Sequence, residues 1–397
     1  MIRILEIRRN VVEMKTKMAH TSSLQNMPLH DRLRETRESL HLTASKVAEL
    51  SGLGASSISE FENGRRIPSL AQLQKLANIY HRSISFFLEE GPVRREVVLW
   101  RERPEPSVAA EIEAQFLKFC RQYRNLETWC DERLKVRLPI AEGIPSRFTY
   151  RQASALAKQV RDELQLGDRP AQVLLTVLEE VCGVKVIYRD FEPSGAAAST
   201  YSDEFGPAVL LNASNTRWRR NFDLAHEVFH LVTWEVFHSA EENGAVEVDP
   251  VEEKFAGTFA SALLMPDEPL RSAISEHSRD GKLPFEEIFD IARQFDVSAG
   301  ALLWRLHSLY RTPDQEDLTR ENVEQARRLA PLFDKRSTEE PPERPSRYCA
   351  LAFRALKKGA LSAGRFAEYM GVSRQEAMRV VEQQGEEHAG EICLPPA

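Results

Sequence analysis

His226 and His230 stand four residues apart, with Glu227 directly after the first, in the stretch His226-Glu227-Val228-Phe229-His230. On an α-helix that spacing advances about one turn, so both imidazoles share a face and can bind one metal ion. Glu227 falls where a carboxylate can take a proton from an attacking water, the division of labour in H-E-x-x-H zinc hydrolases. The neighbours Phe222, Leu224, Ala225, Val228, Phe229, Leu231 and Val232 are apolar nearly all round such a helix, which implies burial. Two histidines and a glutamate there are costly unless paired or coordinated. Three fixed positions in five also arise by chance, so the rest of the chain must supply the remaining parts.

A catalytic zinc needs three protein ligands and an open position. Asp249 to Met265 predicts a helix, with Pro250 near its start and Pro266 stopping it. Phe255, Ala256, Phe259, Ala260, Leu263 and Leu264 give it an apolar stripe. Glu253 belongs to that stripe and is the expected third ligand. Glu252 is rotated by about 100° and is expected to face solvent, but stays the alternative. Either acid also suits a helix N-terminus with no metal at all. Glu241, Glu242, Glu247 and Asp249 read as a solvated acidic connector. His238 does not complete the longer metzincin motif, because Thr233 and Val236 occupy its Gly and His positions, and it is read as a surface histidine. Tyr201, His238 and His277 are candidates for stabilising an oxyanion, and nothing in the sequence separates them.

Leu211-Asn212, Arg219 to His230 and Glu253…Phe259-Ala260…Leu263-Leu264-Met265-Pro266 resemble the ImmA/IrrE family of metallopeptidases. So do the lead-in from Pro170 through Glu179 to Val184–Ile187 and the ending Ile291–Ser298 with Arg305-Leu306. The similarity spans about residues 150–312. Two positions depart from the family pattern: Gly257, where many members carry Asn or Asp, and Phe229, where a small residue is common. Neither removes a ligand, although Gly257 would loosen the surroundings of the metal. The resemblance implies a zinc endopeptidase whose relatives cleave or antagonise helix-turn-helix repressors.

The segment Leu29 to Glu90 predicts short helices divided by tight turns. Leu33–Leu40 comes first, then a helix capped by Thr43, then Gly52-Leu53-Gly54, Ala55–Asn63 stopped by Gly64, and a helix capped by Ser69. This is helix-turn-helix architecture. Ala55 to Ser69 resembles the XRE (phage repressor-like) family over about 60 residues. That resemblance places Ser56, Ser57 and Ser59 on the face that reads bases, with Arg65 and Arg66 on phosphates. No Arg or Lys on that helix offers a bidentate guanine contact. Residues 29–90 carry eight Lys/Arg and eight Asp/Glu, so the module has no strong basic bias. A protein-binding or dimerising helical module is the other reading.

The 397 residues, 42% of them apolar, are enough for two to three domains with real cores. A net charge of −7 argues against broad nucleic-acid affinity by the whole chain. Cys120, Cys130, Cys182, Cys349 and Cys393 are scattered and lack C-x-x-C spacing, which reads as reduced thiols in a cytoplasmic protein. No apolar run reaches the length of a membrane span. The expected order is a disordered or non-native segment at 1–27, with Met14, Met18 and Met27 as alternative starts, and a helix-turn-helix domain at 28–90. A connector and helical region at 91–148 and a metallopeptidase domain at 149–312 follow. The chain then passes through a linker at 313–346 and a small helix-turn-helix-like unit at 347–385 to a tail at 386–397.

Within this order, Gly91–Ser107 carries no defined element, Val108–Val136 and Tyr150–Leu166 are helical, and Val184–Tyr188 and Ala208–Leu211 are strands. The Gly/Ala/Ser-containing stretch between the two strands is read as turning them into a hairpin. An edge strand beside the metal helix would hold an extended peptide by β-addition. The expected fold class is α+β, mostly helical. It joins an all-α helix-turn-helix domain, a gluzincin-like metallopeptidase with a small sheet, and a C-terminal helical unit.

Two functions are consistent with these features. One is a cytoplasmic zinc endopeptidase, with one Zn2+ per chain, that cleaves a helix-turn-helix repressor in a stress or mobile-element response. The other is a DNA-binding or antitoxin-like regulator, a homodimer in one form, whose metallopeptidase domain senses rather than cleaves. Both need His226, His230 and Glu253, but only the first needs Glu227.

Overall fold

The computed structural model describes residues 27–89, 96–132, 138–238, 248–280, 282–310, 316–333 and 340–379. Met14, Met18, the acidic residues Glu241, Glu242 and Glu247, Cys393 and the tail at 386–397 lie outside them. The chain divides into two units, residues 1–95 with 105–118 and residues 96–104 with 119–397.

The first unit is all helical among its described residues. Its helices are Leu29–Ser39, Ala44–Ser51, Ala55–Glu62, Leu70–Ile79 and Ile84–Leu88. Thr43 accepts a bond from the Lys46 amide, and Ser69 and Gln72 form a reciprocal capping box. Gly52 ends the second helix in the left-handed conformation at φ 67°, which a side chain would disfavour. Leu33, Val47, Ile58, Phe61, Leu73, Leu76 and Phe87 fill one core. Arg37 grips the carboxylate of Glu62 with two bonds of 2.8 and 3.0 Å, tying the first helix to the third. The first helix starts four residues earlier than the sequence suggested, at Leu29 after Pro28.

The second unit is built on a four-stranded mixed sheet in the order β1-β3-β4-β2. The strands are β1 (Leu99–Trp100), β2 (Lys185–Arg189), β3 (Ala197–Ser202) and β4 (Gly206–Asn212). The hairpin expected between the runs at 184–188 and 208–211 is not formed. β2 and β4 are parallel, from Lys185↔Ala208 to Arg189↔Asn212. The stretch between them supplies β3, which makes the hairpin with β4 through Ser202↔Gly206. Ala197 to Thr200 are all buried, so tertiary packing rather than intrinsic preference makes a strand of the small residues Ala197, Ala198 and Ser199. β1 likewise arises inside the stretch where no element was expected.

Helix Arg217–Val232 packs on β3 and β4, and helix Pro250–Leu264 packs on it and on helix Tyr150–Glu163. Phe229, Phe259, Leu263, Leu264, Val228 and Leu224 lie in the core between them. The stretch read as a linker at 313–346 contains helix Glu316–Phe333. Its Val323 and Ala326 are buried in the same core, and Val323 passes so close to Gly300 that a side chain there would touch it. Val323, Ala326, Ala330 and Phe333 recur at helical spacing within a charged sequence. Helices Ser346–Lys357 and Ala363–Met370 pack on the end of helix Pro106–Trp129, where Tyr348 stacks on Phe119 at 4.4 Å. Beneath them Glu127 accepts from both Lys185 (3.2 Å) and Arg347 (2.7 Å), a buried charge cluster in which each cation has a carboxylate partner. No described helix is long and apolar enough to cross a membrane.

Candidate metal centre

Helix Arg217–Val232 buries every residue from Asp223 to Val232, so its two histidines and Glu227 enter the core together. Pro250 and the Asp249 cap, which accepts from the Val251 amide, start the facing helix just where its first turn meets them. The ligand atoms of His226, His230 and Glu253 all lie within 4.8 Å of one another. Glu253 Oε2 is 3.1 Å from His226 Nε2, and Oε1 is 3.4 Å from His230 Nε2 without forming a hydrogen bond. A buried carboxylate oxygen without a proton donor, facing two imidazole nitrogens, suits a cation better than it suits an ion pair. Two nitrogens and one oxygen are a donor set that zinc accepts.

The charges follow from burial and proximity. Burial pushes His226 down to about 4, leaving it neutral as a metal ligand must be. Burial pushes Glu227 up to about 7, with nearby His230 and Ser199 pulling the other way. That range suits a carboxylate that both takes and returns a proton near neutral pH. Burial alone would lower His230, but Glu252 and Glu253 raise it to about 10. Glu253 is correspondingly held down, to about 2, because His226 and His230 outweigh its burial.

Glu252 does not face solvent as expected. It is 3% exposed, and its Oε1 sits 2.8 Å from His230 Nδ1 and 2.9 Å from His238 Nε2. His238 is correspondingly not a surface residue, since its side chain is 5% exposed. A single inward stripe was too narrow a picture: the helix end at Val232 and the turn Trp234–Phe237 wrap round to the side where Glu252 points. His277 pairs with Glu287 at 2.5 Å and with Gln294, and Tyr201 is half-exposed on β3, with its ring 6.2 Å from Trp234. At Gly257 a side chain would meet nothing within 4 Å, and His226 Nδ1 has no hydrogen-bond partner among the described residues.

Three further residues were not singled out in the sequence. Asp223, one turn before His226, is fully buried and accepts from Arg101 (2.7 Å), Arg219 (2.9 Å) and Asn215 (3.1 Å). An acid inside an apolar helix was the available signal for it. Arg101 follows β1, whose Leu99 and Trp100 pair with Ser199 and Ala198. The edge of β3 beside Glu227 therefore already carries a strand. Ser199, which is buried, pairs there with Leu99 and takes part in the electrostatics of Glu227.

In the first unit Ser56 and Ser59 are exposed and Ser57 is half-buried on helix Ala55–Glu62. The Asn63 amide donates to the Ser59 hydroxyl at 3.2 Å. Arg65 and Arg66 are exposed just beyond the helix, and Arg66 lies over the Phe61 ring at 5.5 Å.

The chain combines an XRE-type helix-turn-helix domain with an IrrE-like peptidase domain. Residues 179–307 match the Peptidase_M78 family, the IrrE N-terminal-like domain, and residues 33–87 match the HTH_3 helix-turn-helix family. The HTH-type transcriptional regulators PuuR of Escherichia coli (strain K12) and of Shigella flexneri are each 43% identical over 70 residues, 17% of this chain. The match spans 38% of those relatives' length. Among solved structures, Bacillus thuringiensis PlcR in complex with the peptide PapR7 and DNA aligns at 15% identity with a TM-score of 0.16, over 84% of this chain and 99% of that one. ComR from Streptococcus suis aligns at 10% identity with a TM-score of 0.15, over 90% and 88%. Likeness at that level carries no structural argument.

Proposed function

We propose that this protein is a zinc-dependent endopeptidase coupled to transcriptional control, with a helix-turn-helix repressor as its substrate. The observation that supports it is the convergence of His226, His230 and Glu253, with Glu227 buried beside them. His226 Nε2, His230 Nε2 and the Glu253 carboxylate would hold one Zn2+, which would supply Lewis-acid polarisation of a carbonyl and of water. Glu227 accepts the proton of the attacking water and returns it to the leaving amine. Burial of His226, Glu227 and His230 strengthens the electrostatic action of these groups on one another. The helix-turn-helix domain binds DNA with Ser56, Ser57 and Ser59 towards bases and Arg65 and Arg66 towards phosphates, and so brings the peptidase to its target.

A second reading has its own support. The β3 edge beside Glu227 is paired with β1, so a substrate peptide has no open strand edge to add to there. The experiment that separates the two is Glu227→Gln in cells, with the regulated genes and the repressor followed together. Loss of repressor cleavage and of the transcriptional response in one step supports the peptidase. A normal response from Glu227→Gln gives the sensor reading its place.

A further inference from the structure

Consecutive carboxylates from one helix hold the two nitrogens of the same imidazole. Glu253 lies at His230 Nε2 and Glu252 at His230 Nδ1, 2.8 Å away. A step of one residue turns a helix by about 100°, enough to send neighbouring side chains to opposite edges of a ring inserted between them. A neutral imidazole carries one N–H. A metal ion bound at Nε2 would take the place of the proton there, and a carboxylate on Nδ1 keeps the remaining proton on that nitrogen, so the Nε2 lone pair is directed between Glu253 and His226. The Glu252 oxygen that takes this bond takes another from His238 Nε2 at 2.9 Å. His238 is itself held between the rings of Trp234 (5.4 Å) and Phe237 (6.4 Å). His226 has no such support at its own Nδ1 among the described residues.

We propose that Glu252 is the positioning residue of the metal centre. It fixes His230 in the Nδ1–H tautomer, and His238 fixes Glu252. The arrangement commits Glu252 to a supporting role, because its Oε1 already accepts from two donors. This inference rests on the metallopeptidase reading.

The test uses the full chain and zinc alone, with affinity measured by chelator competition and the His230 tautomer by its ring-nitrogen NMR shifts. Glu252→Gln keeps the shape and removes the charge. It should weaken zinc about 10- to 100-fold, the usual effect of losing such a partner, while stoichiometry stays at about one. His238→Phe should weaken zinc several-fold and broaden the His230 signals. His238→Gln, which keeps a donor, should restore most of both. Wild-type affinity in Glu252→Gln and in His238→Phe, with an unchanged tautomer, overturns the positioning role. So does a second zinc equivalent in the wild type that disappears in His238→Phe, since His238 and Glu252 would then be ligands. Absence of zinc binding by the wild type overturns the metal reading itself, and the positioning role with it.

Discussion

Arg101 Nη1 lies 2.7 Å from Asp223 Oδ1, joining residues 122 positions apart and tying β1 to the helix that carries His226 and His230. Asp223 is fully buried, and burial outweighs its arginine partners and raises its pKa. Arg219 and Asn215 remain on Asp223 when Arg101 is removed. Arg101→Ala should therefore cost about 1–3 kcal/mol, below the usual penalty for orphaning a buried charge. Amide hydrogen exchange at Leu99, Trp100 and the facing part of β3 should speed up, while zinc content stays constant. Unchanged exchange at β1 would show that the ion pair does not hold the strand.

Metal content should be about one zinc per chain in purified protein, measured by elemental analysis. His226→Ala or His230→Ala should abolish it, and Glu253→Ala should lower the affinity far more than Glu252→Gln does. Full occupancy in the His226→Ala/His230→Ala double variant would remove the site from consideration.

Glu227→Gln should keep zinc and fold, because the side chain is near-isosteric and makes no contact that the metal needs. Peptide cleavage should fall by several orders of magnitude. Retained cleavage with retained zinc would assign the base to another residue.

For DNA, Arg65→Ala and Arg66→Ala should weaken binding uniformly across sequences and each reduce the salt slope by about one. Substitutions at Ser56, Ser57 and Ser59 should change sequence preference instead. A gel-shift screen with the upstream region of the protein's own gene reads both. No salt-sensitive shift at low ionic strength would favour the protein-binding role of this module.

Glu179 gives a pH dependence remote from the metal centre. Burial raises its pKa to about 8, and its Oε1 has no partner among the described residues. A raised carboxyl stays protonated in the folded chain while the unfolded chain ionises. Its stabilising contribution is full below about pH 4.5 and is lost as pH rises towards 8, a change on the order of a few kcal/mol. Thermal melts of Glu179→Gln should therefore lose less stability than the wild type between pH 5 and 8. Parallel pH profiles would mean that Glu179 is solvated.

The parts that were legible in the sequence are those whose partners lie within one or two helical turns. The spacing of His226 and His230 and the caps at Thr43 and Ser69 follow from helical geometry alone. Glu252 was misjudged because its partners His230 and His238 come from another helix and the turn after it. β3 was missed because Ala197, Ala198 and Ser199 have little strand preference of their own and are strand through their neighbours. β1 is two residues long, and its reason to exist lies at Ser199 and Asp223. The helix Glu316–Phe333 did carry its signal in Val323, Ala326, Ala330 and Phe333 at helical spacing, and the surrounding charges drew the linker reading over it.

The strand Leu99–Trp100 on β3 has a consequence for any extended peptide that would pair with the same edge. It is a ligand attached to its own receptor, so it competes at a fixed effective concentration, on the order of millimolar for a short flexible tether. Diluting the protein does not weaken it. A peptide that binds the edge with a dissociation constant near that value gains little occupancy at cellular concentrations. Only a sequence with additional contacts, made beyond the backbone ladder, would displace the strand, so under the peptidase reading the tether would act as a filter on which peptides pair along β3.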